Sequence, residues 1–168
     1  SSDVCSSDLI EAGRREIAPV PLEARAVIDA CLAIIAPKAA AKIISTTVEA
    51  DQPTPVYADP VALRQILLNL LSNAITYTPV GGRVTVRLLP DEDGATAIEV
   101  ADTGVGMDAE GLKLAMQPYG QVRGKPGRAT EDGSGLGLPI SSLLTELHGG
   151  KFTISSTPGK GTVVRRSE

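Results

Sequence analysis

Aromatic residues and cysteine are scarce in this sequence, and basic residues are not in excess. Phenylalanine, tyrosine and tryptophan make up 2 % of the 168 residues, so a core must be built from leucine, isoleucine, valine and alanine. The net charge of −4 argues against a nucleic-acid-binding surface, which needs a basic patch. No apolar run approaches the roughly 18 residues that a membrane-spanning helix needs, and nothing resembles a signal peptide. We therefore expect one soluble, globular domain that is cytoplasmic and contacts neither nucleic acid nor a membrane, with a membrane anchor elsewhere in a longer parent protein as an open alternative.

Both ends of the chain look foreign to the domain between them. Residues 4–9 (VCSSDL) resemble the translation of a common sequencing adapter, and residues 166–168 (RSE) resemble that of the opposite strand. We therefore expect residues 1–9 and 166–168 to be adapter-derived and residues 10–165 to form the domain, with natural polar tails as the alternative. Cys31 is then the only native cysteine, which leaves no internal disulfide and fits a reducing compartment.

Strand and helix patterns alternate along the domain. Alternating apolar residues predict strands over residues 15–22, 43–50, 83–89, 95–101, 151–155 and 161–164. Helical spacing predicts helices over 22–42, where Pro37 interrupts the pattern, from Pro60 through Ala74, and over 111–115 and 138–147. Residues 51–59 are predicted to be a connector and residues 117–132 a long functional loop. This mixture predicts an α/β (α+β) fold built as a two-layer sandwich.

The second predicted helix begins with two strong local signals and carries a polar pair. Asp59 suits the N-cap, and Pro60 suits the first helical position. Further along, Asn69 and Asn73 are four residues apart, so they share one helix face beside the apolar stripe. Two amide oxygens on one face can hold Mg²⁺, which prefers oxygen ligands and keeps substrate phosphates in its shell. Solvent-facing or hydrogen-bonded asparagines are the structural alternative.

A second polar segment follows the strand at 95–101. Asp102 ends that strand, and Gly104 and Gly106 come directly after it. A carboxylate here can accept a hydrogen bond from the exocyclic amine of adenine, and it would repel the carbonyl that guanine presents. The glycines would let the backbone approach a base without a side chain between them. An ordinary Asp-Thr-Gly turn is the alternative.

A third, glycine-rich segment leads into the helix at 138–147. It contains Gly133, Gly135 and Gly137, and helix N-terminal amides together with glycine backbone suit phosphate oxygens. A flexible linker is the alternative. A dinucleotide-binding loop fits less well, because the preceding residues form a polar loop rather than a strand.

The order of these segments carries a family resemblance. The set Asn69-Leu-Leu-Ser-Asn73-Ala-Ile-Thr-Tyr77-Thr-Pro79, Asp102-Thr-Gly104-Val-Gly106 and Gly133-Ser-Gly135-Leu-Gly137-Leu138-Pro139 resembles the ATP-binding boxes of sensor histidine kinases. These kinases share a superfamily with type II topoisomerases and heat-shock chaperone ATPases. The resemblance implies a Bergerat-type fold, in which helices cover one face of a mixed, largely antiparallel sheet.

The resemblance also implies roles for individual residues. Asn73 would ligate Mg²⁺ with support from Asn69, Tyr77 would lie near the nucleotide, and Asp102 would bind adenine. The glycines of the second and third boxes and Leu138 would line the ATP site. Residues 117–132 would form an ATP lid, in which Tyr119, Arg123, Lys125 and Arg128 are candidate contacts.

A phosphotransfer function follows from the resemblance as an expectation. The domain would transfer the γ-phosphate of ATP to a histidine on a separate dimerisation and phosphoacceptor hairpin of a parent sensor kinase, which in turn serves a response regulator. We expect the acceptor to lie outside this sequence. His148, the only histidine, lies at a helix end without an acidic neighbour, which favours a structural role.

Two positions depart from family patterns and keep alternatives open. Thr76 stands where these kinases usually have lysine or arginine, which weakens the case for phosphate binding and turnover. Gln65 stands where the ATP hydrolases of the superfamily have a glutamate, and it cannot act as a general base. An anti-sigma-type protein-serine kinase and a non-catalytic nucleotide-binding module are the alternative functions.

Overall fold

The computed structural model describes residues 16–50, 54–90, 95–117 and 137–167. In these ranges the helices are α1 (Ala24–Ala41), α2 (Pro60–Thr76), α3 (Ala109–Ala115) and α4 (Gly137–Leu147). The strands are β1 (Val20–Glu23), β2 (Ser45–Glu49), β3 (Pro55–Ala58), β4 (Arg83–Pro90), β5 (Thr96–Asp102), β6 (Lys151–Thr157) and β7 (Gly161–Ser167).

Five of the strands form one mixed sheet in the order β2-β4-β5-β7-β6. The β2–β4 pair is parallel, and the other three pairs are antiparallel. One row of apolar side chains crosses all five strands and faces the helices, namely Val48, Val86, Val100, Val164 and Ile154. Successive side chains of a strand point to opposite faces, so the residues beside this row lie on the other face. The predicted two-layer α+β fold is confirmed.

The face of the sheet opposite the helices carries a row of charges. Glu49, Arg87, Glu99 and Arg165 lie side by side on β2, β4, β5 and β7. Arg87 Nε lies 2.9 Å from Glu49 Oε2, and Arg165 Nη1 lies 3.9 Å from Glu99 Oε1. Opposite charges therefore alternate across four strands, and we call this set the charge row.

The helix α2 is central to the other layer because it packs against both α1 and α4. Its apolar stripe is buried in the core, and the fully buried members are Ala62, Leu63, Ile66, Leu67, Leu71 and Ile75. The predicted start of α2 is confirmed: Asp59 Oδ1 accepts hydrogen bonds from the Val61 and Ala62 amides at 2.9 and 3.0 Å. The cap satisfies donors that a helix N-terminus otherwise leaves without partners.

His148 joins the end of α4 to the beginning of α2. Its Nδ1 lies 2.7 Å from the Leu144 carbonyl oxygen, which can only accept, so Nδ1 donates. Its Nε2 accepts from the Asp59 amide at 3.1 Å. Both ring nitrogens are thus engaged within the fold, and the predicted structural role of His148 is confirmed.

Two expectations about prolines were wrong. The helix α1 continues through Pro37 although proline lacks an amide donor, because Ile35 and Ala39 on either side of it are buried in the core. The predicted connector at 51–59 contains the strand β3, which pairs antiparallel with β1. Pro55 begins β3, a position at which a proline need not donate to a neighbouring strand.

Several element bounds also differ from the prediction. The strand predicted over 15–22 is the shorter β1, and the short third helix begins two residues earlier than expected, at Ala109, where Asp108 accepts from the Gly111 amide. The terminal hairpin is longer than predicted, because Arg166 and Ser167 continue the pairing of β7 with β5 and β6. Strand pairing sets the ends of β1 and β7, whereas the local Asp108 cap sets the start of α3.

Candidate nucleotide-binding site

The polar pair on α2 lies where the sequence predicted, beside the buried stripe. Asn69 and Asn73 are both half-buried. Asn69 Nδ2 lies 3.4 Å from the Gly137 carbonyl oxygen and 3.4 Å from Ser141 Oγ, both on α4. Donation to these two acceptors orients the amide and leaves its Oδ1 as the oxygen available to a ligand.

Asn73 differs from Asn69 in its surroundings. Its main-chain carbonyl accepts from the Tyr77 amide at the end of α2. Its side chain makes no hydrogen bond to another residue within the described ranges. A half-buried amide of this kind can present its oxygen to a hard cation such as Mg²⁺.

The Asp102 carboxylate is held by the backbone around it. Its Oδ1 accepts from the Gly104 amide at 2.8 Å and from the Thr162 amide at 3.2 Å. Within the described part of the chain both hydrogen bonds fall on Oδ1, so Oδ2 is the oxygen that can face a ligand. Burial raises the pKa of the Asp102 carboxyl above its usual value, and the hydrogen bonds from Gly104 and Thr162 oppose that rise.

The glycines of the second box allow backbone segments to meet. A Cβ on Gly104 would lie 2.5 Å from the Tyr77 carbonyl oxygen, which accepts from the Val105 amide at 3.2 Å. Gly106 has a φ of +71°, and a Cβ there would collide with the Thr157 carbonyl. The segment after β5 therefore packs closely on both the end of α2 and the β6–β7 turn. The close approach that we expected toward a base occurs here toward the chain's own backbone.

Only part of the third box lies within the described residues. Gly137 begins α4, as predicted, and its backbone contacts Asn69. The Leu138 side chain is 7 % exposed and packs in the core, so it anchors the start of α4. Gly133 and Gly135, and the four candidate lid contacts Tyr119, Arg123, Lys125 and Arg128, lie outside the described residues.

Two lysines that the sequence reading did not connect with the site lie at the end of α2. Lys38 Nζ, from α1, is 3.0 Å from Ser72 Oγ and 3.0 Å from Thr76 Oγ1. Lys42 Nζ, one turn later, donates to the Ile75 and Thr76 carbonyls at 2.9 and 3.1 Å. The sequence signal was a pair of lysines and a pair of hydroxyl residues, each four apart, but nothing local placed the two pairs together.

Comparison with known proteins identifies the class to which this arrangement belongs. The family described as histidine kinase-, DNA gyrase B-, and HSP90-like ATPases matches residues 58–166, which includes α2, Asp102 and the terminal hairpin. The chain belongs to this family. The sequence-based resemblance to the ATP-binding domains of histidine kinases is thereby confirmed, together with the fold that it implied.

The curated relatives and solved structures that the chain resembles include named histidine kinases and a sensor protein. The chain is 40 % identical over 164 residues to the histidine protein kinase DivJ of Caulobacter vibrioides, covering 97 % of this chain and 27 % of that protein. It is 37 % identical to the sensor protein GacS of Pseudomonas syringae, covering 96 % and 18 %. Full-length ShkA in complex with AMPPNP superposes with a TM-score of 0.81 at 27 % identity, covering 96 % and 33 %.

The chain corresponds to only part of the length of these curated relatives. The chain spans between 16 % and 29 % of the length of the first curated relatives that it matches. The mycobacterial sensor histidine kinase MprB structure is covered over 95 % of its length, with a TM-score of 0.73 and 28 % identity. Within the ranges that the structure describes, no helix has the length and apolar character needed to cross a bilayer.

Proposed function

We propose that this domain binds Mg·ATP and presents the γ-phosphate to a histidine on the dimerisation and phosphoacceptor hairpin of a parent sensor kinase. The observation that carries the proposal is the position of Asp102. Its Oδ1 is fixed by two backbone amides, and its loop packs on the end of the helix that carries Asn69 and Asn73. The contact between these two segments supports our assignment of the candidate adenine acceptor and the amide pair to one site.

Asp102 would select adenine through the oxygen that the fold leaves open. The exocyclic amine of adenine would donate to Oδ2, while the carbonyl that guanine has at that place would be repelled by the carboxylate. This contact requires the ionised carboxylate. Because burial raises the pKa of Asp102, protonation would abolish the contact at a higher pH than for an exposed aspartate.

The two asparagines would serve the phosphate end of the nucleotide. Asn73 would ligate Mg²⁺ through Oδ1, and Asn69, oriented by Gly137 and Ser141, would support the metal and the phosphates. A bound Mg²⁺ would supply positive charge to the phosphate oxygens. The amides are neutral, so they add no negative charge beside a triphosphate.

Transfer to a protein is favoured over hydrolysis by the composition of α2. Gln65 lies one turn before Asn69, and its amide cannot take a proton from an attacking water. Transfer by in-line displacement requires mainly that the nucleotide be held and its charge balanced. The acceptor histidine and its base would come from the hairpin, and a response regulator would receive the phosphoryl group afterwards. We place this reaction in the cytoplasm, where ATP is available.

Calorimetric titration of the chain with ATP and GTP, each with and without Mg²⁺, tests the first half of the proposal. Saturable, Mg²⁺-dependent binding of ATP with GTP excluded is the expected result. A folded chain that binds neither nucleotide would contradict it.

Addition of a hairpin that carries a phosphoacceptor histidine tests the second half. We expect transfer of radiolabelled γ-phosphate to give an acid-labile, base-stable phosphoprotein, as phosphohistidine does. An acid-stable product would instead support the serine-kinase alternative, whereas binding without transfer would support the non-catalytic one that Thr76 suggests.

A further inference from the structure

The row of side chains that carries Asp102 is polar, unlike the row beside it. Strand pairing places Asp102 of β5 opposite Thr162 of β7, and Thr162 opposite Ser156 of β6. The positions two residues away in each of these strands belong to the apolar row that faces the helices. Since alternate residues of a strand share a face, Asp102, Thr162 and Ser156 lie on the helix side of the sheet. We call these three residues the polar row.

The Ser156 hydroxyl joins three segments of the chain. Its oxygen accepts from the Met107 amide at 2.7 Å. It donates to the Gly161 carbonyl oxygen at 3.1 Å and lies 2.8 Å from Thr162 Oγ1. A hydroxyl has one proton and two lone pairs, so these three contacts use its whole hydrogen-bonding capacity. Ser156 is therefore fully engaged in holding its neighbours together.

The segment from Asp102 to Met107 is held at both ends by groups that Ser156 contacts. At its start, Asp102 Oδ1 accepts from the amide of Thr162, the residue whose hydroxyl meets Ser156. At its end, the Met107 amide donates to Ser156 itself. Between the two ends, a main-chain hydrogen bond of 2.7 Å ties the segment to the β6–β7 turn without help from a side chain. Loss of the Ser156 hydroxyl would therefore loosen both ends of the segment without detaching it.

The Asp102 carboxylate needs this hold because its two oxygens have different tasks. Oδ1 accepts from the backbone, and Oδ2 is the oxygen that would meet adenine. Of the two hydrogen bonds to Oδ1, the one from Thr162 is the longer, at 3.2 Å against 2.8 Å from Gly104. A small shift of Thr162 would therefore weaken that bond first, and the carboxylate could then turn about its remaining contact.

We propose that Ser156 is a positioning residue for base recognition: its hydroxyl fixes Thr162 and Met107, so that the Asp102 carboxylate stays aimed at the exocyclic amine of adenine. This inference rests on the proposed function, because it needs adenine at Asp102. Ser156 would act on the nucleotide through its neighbours, without a contact of its own. It would therefore govern base selectivity and leave phosphate binding unchanged.

The Ser156→Ala variant of the full chain tests the proposal through two triphosphates, measured by calorimetric displacement in the presence of Mg²⁺. One is ATP, and the other is purine riboside triphosphate, which lacks the exocyclic amine. We expect ATP affinity to fall by about tenfold, the size of one misaligned hydrogen bond. Purine riboside triphosphate should stay within about twofold, since it has no bond to Oδ2 to lose. The preference for ATP should therefore shrink.

Ser155→Ala is the matched control, because it deletes the same hydroxyl from the neighbouring residue of β6. Ser155 is exposed and points to the other face of the sheet. We expect this variant to keep both affinities unchanged. An equal loss for both triphosphates in Ser156→Ala would mean that Ser156 is only structural and would overturn the inference. Unchanged ATP affinity in Ser156→Ala would overturn it as well, while the proposed function stands.

A double variant shows whether Ser156 acts through Asp102. In the Asp102→Asn background, Ser156→Ala should change ATP affinity by no more than about twofold, because the contact that it positions is already lost. A further tenfold loss in the folded double variant would mean that Ser156 acts on the nucleotide by another route, and the inference would be wrong.

A measurement without nucleotide separates this inference from the proposed function. Absence of Mg·ATP binding by the folded, unchanged chain would overturn the proposed function. Carbon NMR titration of the Asp102 carboxyl would still report how firmly it is held. The hydrogen bond from Thr162 lowers the pKa of Asp102, so a looser Thr162 in Ser156→Ala should raise that pKa further. The same pKa in both chains would contradict a positioning role for Ser156.

Discussion

The beginning and the end of α2 are both rich in polar groups, but those groups have different partners. At the beginning, Asp59 caps the helix and also accepts from the Ala18 amide at 2.9 Å, while its own amide donates to His148. At the end, Asn73 presents a side-chain amide without a hydrogen bond inside the described ranges, and the charges are brought from α1. Polar groups that are satisfied within the fold stabilise it, whereas groups held in place but left open are suited to a ligand.

Near the end of α2, the largest effect on ATP affinity should come from Asp102→Asn. The new amide keeps an oxygen for the Gly104 and Thr162 donors but directs an NH₂ group at the adenine amine, so two donors face each other. We expect at least about a 100-fold loss of ATP affinity, since a site built to accept a hydrogen bond then meets a second donor. Calorimetry with ATP measures it, and near-normal affinity would show that Asp102 does not read adenine.

The same variant should leave the fold intact. The raised pKa of Asp102 means that its folded carboxyl binds a proton more tightly than the unfolded one, so the associated stability is present at low pH and lost as pH rises through the folded pKa. At neutral pH, replacing the ionised Asp102 carboxylate by a neutral amide therefore removes the free-energy cost of burying that charge. We expect chemical denaturation of Asp102→Asn to give an equal or higher free energy of unfolding than the unchanged chain.

Asn73→Ala should have the next largest effect on the nucleotide. Loss of the metal ligand should make ATP affinity about the same with and without Mg²⁺, a change on the order of tenfold or about 1.4 kcal/mol. Titrations with Mg²⁺ and with EDTA provide the comparison. If the variant still binds ATP more tightly with Mg²⁺, another group ligates the metal.

The pH dependence of ATP affinity should test the role of the Asp102 carboxylate directly. As pH falls through the raised pKa of Asp102, the carboxylate gains a proton and can no longer accept from adenine at Oδ2. Affinity should fall by at most tenfold for each pH unit below that pKa. In Asp102→Asn this component of the pH dependence should be absent, which separates Asp102 from other titrating groups.

Substitution at the beginning of α2 should have the smallest effect on ATP affinity and the clearest effect on the stability of the fold. Asp59→Ala removes the cap and the acceptor for Ala18, which should lower the free energy of unfolding by about 1–2 kcal/mol. The ATP affinity of the folded fraction should not change. Asp59→Asn keeps an oxygen for the cap but turns its NH₂ group toward the Ala18 amide, so it should recover only part of the loss. A specific loss of ATP affinity would place Asp59 within the site instead.

Local signals made much of α2 and the positions of the candidate site residues on it predictable from the sequence. The Asp59-Pro60 start depends only on neighbouring residues. The four-residue separation of Asn69 and Asn73 places them on one face of any helix. The ordered boxes then indicated the family. These features could be predicted because each is decided within one or two helical turns.

Apart from the start of α3, the missed features depend on parts of the chain that are distant in sequence. The strand β3 exists because β1 lies beside it, and Pro37 is accepted because the helix around it is buried. The Lys38–Thr76 contact spans 38 positions, and the requirement for Gly104 arises from the Tyr77 carbonyl. Periodicity carries no information about which elements meet, so these contacts could not be predicted.

The charge row on the open face of the sheet has a consequence for how the chain folds. Its ion pairs are partly exposed, and each adds little to equilibrium stability. A slip of one residue in a strand would, however, turn that strand's charge toward the helices and bury it without a partner. The strands β4 and β5 follow each other directly in the sequence, but helices separate β2 from β4 and β5 from β7, so those two pairs must form between distant segments during folding. The row therefore penalises misaligned sheets at the stage when they form, and so favours the one register in which Asp102 and the β6–β7 turn come together.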